Sequence, residues 1–336
     1  LAQVDLSAYN HLYTAQNQKN SWDYSIIKNG ASYPFTLGEG YVYPLIDYGY
    51  NNGVDWNVKH LFPAVYVKTI IDKIIGDSGF QYSSDFFNTN LFKRLVIPFS
   101  GGSALKLTDA QIENRTFRAT SSGVTNINLY SPNTTTTIQI GDDSTVPNFD
   151  GGNNYNSTTS KFTVPKTGTY TFKLKPKVSL THFPSANTTL QVQNASLGYF
   201  QIFRQGGGVM YSIGVYLTPF VATPSVFSII NGGLTVTSGT TTLEQTGELS
   251  FNASVNAGDV FYCVFVMQVN QLYSIGANSA SNYGRLNINV GTMFAVNLAD
   301  VNIQEGDNVE LNSVLPTKFK QSEFLKSIIK SNLFFL

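Results

Sequence analysis

Alternation with a period of two runs through the chain from about residue 155 to residue 301. A helical period shows near residues 63–76 and again from residue 321. In Tyr155–Lys175, Phe162, Val164, Tyr170, Phe172 and Leu174 alternate with lysines and threonines, the pattern of half-buried strands. Pro165-Lys166-Thr167-Gly168 separates the two runs. Proline presets a turn dihedral and removes a ladder donor, and glycine accepts positive φ. The stretch therefore reads as a hairpin hinged on a tight turn. Further strands are predicted at Gly198–Gln205, Val209–Leu217, Ser225–Ile230, Leu234–Thr237, Glu248–Val255, Asp259–Val269 and Arg285–Ala295, with Gly, Asn, Pro and Ser between them. That spacing is the one expected of an all-β sandwich. Ala257-Gly258-Asp259 reads as the turn of a second hairpin, and the continuous apolar run Val260–Val266 predicts a central strand covered on both faces.

The flanks differ. Residues 1–53 are rich in tyrosine and turn residues, with Tyr41–Ile46 the best strand. Val67, Ile70, Ile71, Ile74 and Ile75 follow helical spacing and predict a helix over about 63–76, with Pro63 in its first turn and Gly76 or Gly79 at its end. A short helix is expected around Asp85–Phe92, capped by Ser83, Ser84 or Asp85, and a strand at Leu95–Phe99. Thr116–Ala119, Asn126–Tyr130 and Thr134–Ile140 are short strand candidates. Leu315–Lys320 reads as a linker to a C-terminal helix with Ser322 as N-cap and a stripe of Phe324, Leu325, Ile328 and Ile329. The fold class is mainly β: an antiparallel sandwich with a smaller α+β flanking region and a C-terminal helix. The expected divisions are an α+β scaffold or assembly region at 1–110, a β domain at 111–301, and a linker with returning helical segment at 302–336.

Composition narrows the function classes. The chain has 336 residues, enough for one large or two ordinary domains, with 21 basic against 21 acidic residues. That balance leaves no basic stripe for a nucleic-acid backbone, and no nucleic-acid partner is expected. Cys263 is the one cysteine, so an internal disulfide and a cysteine-built zinc site are both excluded. No apolar run approaches the ~20 residues of a membrane span, and no membrane insertion is expected. The sequence opens on Leu1 and closes inside an apolar run, Leu333-Phe334-Phe335-Leu336. The expectation is a part of a longer polypeptide whose last helix lacks some packing partners.

Candidate chemistry is sparse. His11, His60 and His182 have no ligand spacing and read as structural or exposed. Asp142, Asp143 and Asp150 sit in Gly/Asn-rich loops without a calcium-loop pattern and read as turn carboxylates. Gly206-Gly207-Gly208 precedes neither a helix nor a lysine, so it reads as a hairpin or loose loop rather than a phosphate loop. No nucleophile-elbow sequence is present, and Glu244, Glu248 and Asp259 look like turn or surface groups rather than paired glycosidase carboxylates. No catalytic residue, metal site or cofactor is expected. Tyr199, Tyr211, Tyr216, Tyr273 and Tyr283 suit stacking on sugar rings and suit half-buried strand positions equally.

Two resemblances add to this. Phe117-Arg118-Ala119, Phe149-Asp150, Tyr155–Pro165, Gly168–Phe172 and Ala257-Gly258-Asp259-Val260 look like the jelly-roll head of complement-type and tumour-necrosis-factor-type proteins, across roughly 115–299. Insertions at Pro184–Asn194 and Thr218–Gly239 lengthen this version, and the closing strand has no evident counterpart in the pattern. Phe62–Lys68, Ile74-Ile75, Gly79-Phe80, Tyr82–Phe87 and Lys320–Ile329 resemble segments of large tail proteins from tailed phages of Bacteroidota hosts. The second resemblance implies a virion structural protein of a phage tail or baseplate, made in the bacterial host cytoplasm. It would assemble with copies of itself and other tail proteins and present a jelly roll inserted between scaffold segments. Its assembly helices would use Val67, Ile70, Ile71, Ile74, Phe324, Leu325 and Ile328. A carbohydrate-binding host-adhesion module of the same particle, with a host surface glycan as partner, is the alternative.

Overall fold

The computed structural model describes the chain apart from residues 1–3, 24, 35–36, 51–52, 55–56, 58–59, 100–104, 129–134, 142–148, 182–188, 193–197, 207–226, 231–232, 237–243, 268–271, 276–284, 317, 319 and 334–336. It divides into two compact units, one of residues 1–108 with 301–336 and one of residues 109–300.

The second unit is an antiparallel jelly-roll sandwich. One layer orders its strands Phe149–Asp150, Phe117–Thr120, Met293–Leu298, Gly168–Lys175, Leu249–Val255. The other orders Tyr155–Asn156, Lys161–Thr163, Val260–Met267, Gly198–Gln205, with Thr135–Thr137 also paired to Val260–Met267. Two pairs of chain neighbours thus fall in opposite layers: Lys161–Thr163 with Gly168–Lys175, and Leu249–Val255 with Val260–Met267. This corrects both expected hairpins. Pro165–Gly168 and Ala257–Asp259 carry the chain from one layer to the other, so alternation on each side points into the same core instead of along one sheet. The two turns are bonded together: Gly258 N–H donates to Val164 O at 2.8 Å and Ala257 N–H to Thr167 Oγ1 at 3.0 Å. The expected strand Arg285–Ala295 is two strands in different sheets, Arg285–Ile288 and Met293–Leu298, and the second pairs with both Phe117–Thr120 and Gly168–Lys175, taking the place of the closing strand.

Aromatic rings fill the space between the layers. Phe172 lies 4.5 Å from Phe261 and Phe117 lies 4.8 Å from Phe162, centroid to centroid, each pair spanning the sandwich. Phe261, Cys263 and Phe265 point into this core, while Tyr262 and Val266 are only half-buried. The central strand therefore alternates, and of its outward side chains Val264 alone is buried among the described residues, against the expected cover on both faces. A four-stranded sheet, Glu244–Thr246, Lys177–Thr181, Arg285–Ile288, Thr125–Asn128, repeats the strand order of the first layer. Each of its strands is the chain neighbour of a first-layer strand, across breaks at Pro176 and at residues 121–124, 247–248 and 289–292. At that kink Thr292 Oγ1 accepts Lys177 N–H at 3.0 Å. Gly291 sits at φ +89°, and a Cβ added there would meet the Lys177 side chain at 3.0 Å.

The first unit mixes short strands and helices. Tyr41–Val42, Ala64–Tyr66 and Val96–Ile97 form a three-stranded sheet, and the Val67–Asp77 helix follows the central strand without a break. The helix thus begins four residues later than expected, because Ala64–Tyr66, wholly buried, is drawn into the sheet. Residues 85–92 give a 3-10 turn, Phe86–Asn88, with Asp85 at its N-cap position and Ser84 Oγ accepting Phe87 N–H at 3.3 Å, and then a separate helix, Asn90–Lys93, capped by Thr89. An unexpected helix, Ala15–Trp22, is capped by Thr14, whose side chain accepts from Asn17 N–H. A hairpin, Ser25–Lys28 with Ala31–Pro34, turns on Asn29-Gly30, both at positive φ. The segment after residue 300 returns to this unit: Asn308–Val309 pairs with His11–Leu12, and Leu6 N–H donates to Asn312 Oδ1 at 2.7 Å. The last helix, Gln321–Leu333, begins one residue before Ser322, and Lys320 O accepts Phe324 N–H. No helix among the described residues is long and apolar enough to cross a membrane. The expected strand Val209–Leu217 lies outside the described residues.

Candidate functional site

The helices expected to mediate assembly divide into buried and open faces. Val67, Ile70 and Ile71 are buried within the first unit, and Ile74 is half-buried. Their stripe closes that unit's own core and is not open to a neighbour. In Gln321–Leu333, Phe324 is buried, Leu325 and Ile328 are half-buried, and Ile329 is 57% exposed.

Four of the exposed large apolar groups lie in the segment after the Val67–Asp77 helix; Val54, Leu45, Leu12 and Val124 are exposed elsewhere. Phe80 is 74% exposed, Leu91 73%, Leu95 41% and Tyr82 36%. Within the same segment the rings order themselves: Phe87 stacks on the buried Phe92 at 4.5 Å, and Phe86 and Tyr82 pack at the edges of this pair. Tyr82 hydroxyl donates to Asp72, which also pairs with Lys68 at 2.6 Å. The segment is held in place from beneath while its outer apolar side chains face water. Helical periodicity located the apolar face of Val67–Asp77. It carries no information on which aromatic in the following turn lacks cover, so sequence reasoning missed Leu91 and Leu95.

The other candidate residues find ordinary explanations or lie out of reach. His11 is buried in a tyrosine cluster. Its ring stacks on Tyr41 at 4.0 Å, Nδ1 lies 2.9 Å from Tyr9 O, and Nε2 lies 2.7 Å from the Tyr43 hydroxyl. A carbonyl can only accept, so Nδ1 carries the proton and Nε2 accepts from Tyr43. Burial pulls the imidazole down to about 4, opposed by the bond to Tyr9, and pushes the Tyr43 hydroxyl well up. His60 stacks on Tyr50 at 4.7 Å. No group of three potential metal ligands occurs among the described residues. Asp150 accepts from Asn154 N–H and Tyr155 N–H, both at 2.9 Å, and so ties a turn together. Gly206 takes φ +77° at the end of its strand. Asp259 accepts from Arg204 at 2.6 Å and from Asn256 N–H at 2.7 Å, which makes it a turn anchor. The buried Cys263 thiol is pushed well up by desolvation, away from thiolate chemistry. Tyr199 pairs through its backbone with Val266, and Tyr273 with Gln191. Tyr211, Tyr216 and Tyr283, with Asp142, Asp143, His182, Gly207 and Gly208, lie outside the described residues.

The class of protein is therefore a jelly-roll sandwich carried in one chain with an α+β unit. Among solved structures the chain is similar to the globular domain of a zebrafish complement 1qA protein, at 13% identity and TM-score 0.28, covering 56% of this chain and 98% of that one. It is also similar to murine APRIL, at 12% identity and TM-score 0.25, covering 54% and 95%. No protein-family model matches the chain. No curated protein matches it either.

Proposed function

We propose that this protein is a structural component of a virus particle, a phage tail or baseplate protein that assembles through its α+β unit and presents the jelly roll. The observation that carries this reading is the solvent-exposed apolar surface at Phe80, Tyr82, Leu91 and Leu95. Large apolar side chains exposed together in one segment are costly to leave in water and mark interaction sites. The half-covered helix Gln321–Leu333 adds Ile329 to the apolar surface of the same unit. The buried stripe at Val67, Ile70 and Ile71 supports the surface as a rigid base rather than forming it. The resemblance of Phe62–Lys68, Tyr82–Phe87 and Lys320–Ile329 to phage tail proteins supplies the biological setting.

Sedimentation velocity across a concentration series tests this. The wild-type protein is expected to self-associate, and Leu91→Glu combined with Phe80→Ser to remain monomeric with unchanged circular dichroism. A wild-type protein monomeric at every concentration, or a double variant that still associates, overturns the assembly role of this surface. A host surface glycan at the sandwich tyrosines is the second partner class, and a glycan array without a hit removes it.

A further inference from the structure

We infer that a pocket in the first unit binds an acidic sugar, a uronate or a sugar phosphate. The inference rests neither on the assembly reading nor on the sandwich tyrosines. The pocket measures about 460 Å³, and Lys68, Lys73, Lys93, Glu39, Asp72 and Asn88 supply its polar lining. That volume is in the range of small-molecule sites.

The floor of the pocket is built by backbone. Thr69 hydroxyl donates to Gly38 O at 3.0 Å and accepts from Gly40 N–H at 2.7 Å, which fixes the residue 38–40 turn on the helix. Gly38 sits at φ +93°, and an added Cβ would meet the Lys93 side chain at 3.1 Å and Lys68 at 3.3 Å. Two lysine stems thus rise beside a bare stretch of main chain.

The charges are paired unevenly. Lys68 is held by Asp72 at 2.6 Å, and Glu39 is held by Lys28 at 3.0 Å and by the Tyr9 hydroxyl at 3.1 Å. Lys73 and Lys93 make no ion pair among the described residues; Asp5 feels the charge of Lys73 only at longer range. The pocket therefore offers two uncompensated ammonium groups together with two carboxylates and an amide. Both Lys28 and Tyr9 use Glu39 Oε1, which leaves Oε2 open to a hydroxyl donor.

This combination selects the ligand class. A bare dianion would gain from the lysines but face Glu39 and Asp72 at the same time. A neutral sugar would satisfy the carboxylates and leave two ammonium groups unused. An acidic sugar uses both, with its anionic group on Lys73 and Lys93 and its ring hydroxyls donating to Glu39 and meeting the Asn88 amide.

Isothermal titration and amide chemical shifts with glucuronate and glucose 6-phosphate test the proposal, against glucose and inorganic phosphate. Both acidic sugars are expected to bind and to shift residues around Gly38 and Lys93, each control binding at least about tenfold more weakly, the scale of one charge-assisted hydrogen bond. Lys73→Gln with Lys93→Gln should weaken both acidic sugars by at least about tenfold at an unchanged melting temperature. Glu39→Gln should weaken the sugars and not phosphate. Neither acidic sugar binding at about 10 mM, phosphate binding as tightly as the sugars, or a lysine double variant binding like wild type each overturns it.

Discussion

His11 gives the first unit a specific sensitivity to acid. Its ring is buried, stacked on Tyr41, with a proton donated to Tyr9 O and an acceptor nitrogen filled by the Tyr43 hydroxyl. Protonation at Nε2 would oblige the Tyr43 hydroxyl to turn from donor to acceptor and would place a charge in a buried cluster of tyrosines. The imidazole titrates at about 4 in the folded state against an ordinary 6.5. In the window between those values the unfolded chain binds a proton that the folded chain does not, so folding stability falls as pH falls from 6.5 toward 4. At about 1.4 kcal/mol per unit, full titration is worth about 3 kcal/mol, and about 2 kcal/mol is already lost at pH 5. Residues 109–300 contain no tryptophan and Trp22 lies in the first unit, so tryptophan fluorescence does not report the sandwich. Trp22 Nε1–H donates to Tyr43 O at 2.6 Å, next to the histidine. Urea unfolding monitored by this fluorescence at pH 7, 6 and 5 should show wild type losing about 2 kcal/mol relative to His11→Gln, most of it below pH 6. Equal pH slopes for the two proteins would refute the reasoning, since the other titrating groups are common to both.

The sandwich supplies the remaining predictions. Phe172→Ala should cost about 3–5 kcal/mol in the unfolding of the second unit, because Phe172 is wholly buried against Phe251 and Phe261; calorimetry measures it. Asp259→Asn keeps the shape but leaves Arg204, 20% exposed, without its counter-charge, and should cost about 2–3 kcal/mol; an unchanged melting temperature would show that the pair adds nothing. Gly152→Ala should destabilise the same unit by about 1–3 kcal/mol, since the new Cβ would fall 2.2 Å from both Asn114 O and Asn154 Nδ2; a neutral result would mean that the loop yields freely.

Faces were legible in the sequence and partners were not. Phe162, Val164, Tyr170, Phe172 and Leu174 all point inward, as alternation predicts. A period of two says which side of a strand is buried, but it does not say which strand lies beside it, so two layer-crossing turns read as hairpins. The same limit applies to the first unit. Val67, Ile70 and Ile71 are a helical stripe, yet nothing in the spacing says that the stripe is already covered within the unit. Ala15–Trp22 was silent because its sequence, AQNQKNSW, has almost no apolar residue to set a period. Its signal was Thr14, a capping residue three positions before Asn17. Asn29-Gly30 was a stronger signal still, a dipeptide suited to positive φ at both positions, in a region read only as short strands and loops. The pocket could not be read at all: Glu39, Lys68 and Lys93 come together only once the sheet Tyr41–Val42, Ala64–Tyr66, Val96–Ile97 and the helix after it have formed.

The central claim is that this is an assembly protein whose α+β unit contacts other subunits of a virus particle. A cryo-electron microscopy map of the parent particle, with this chain placed in density, tests it most directly. The account predicts that the chain sits in the tail or baseplate, with Phe80, Leu91 and Leu95 covered by a neighbouring subunit. Absence of the chain from the particle, or its presence with those three side chains facing solvent, would contradict it.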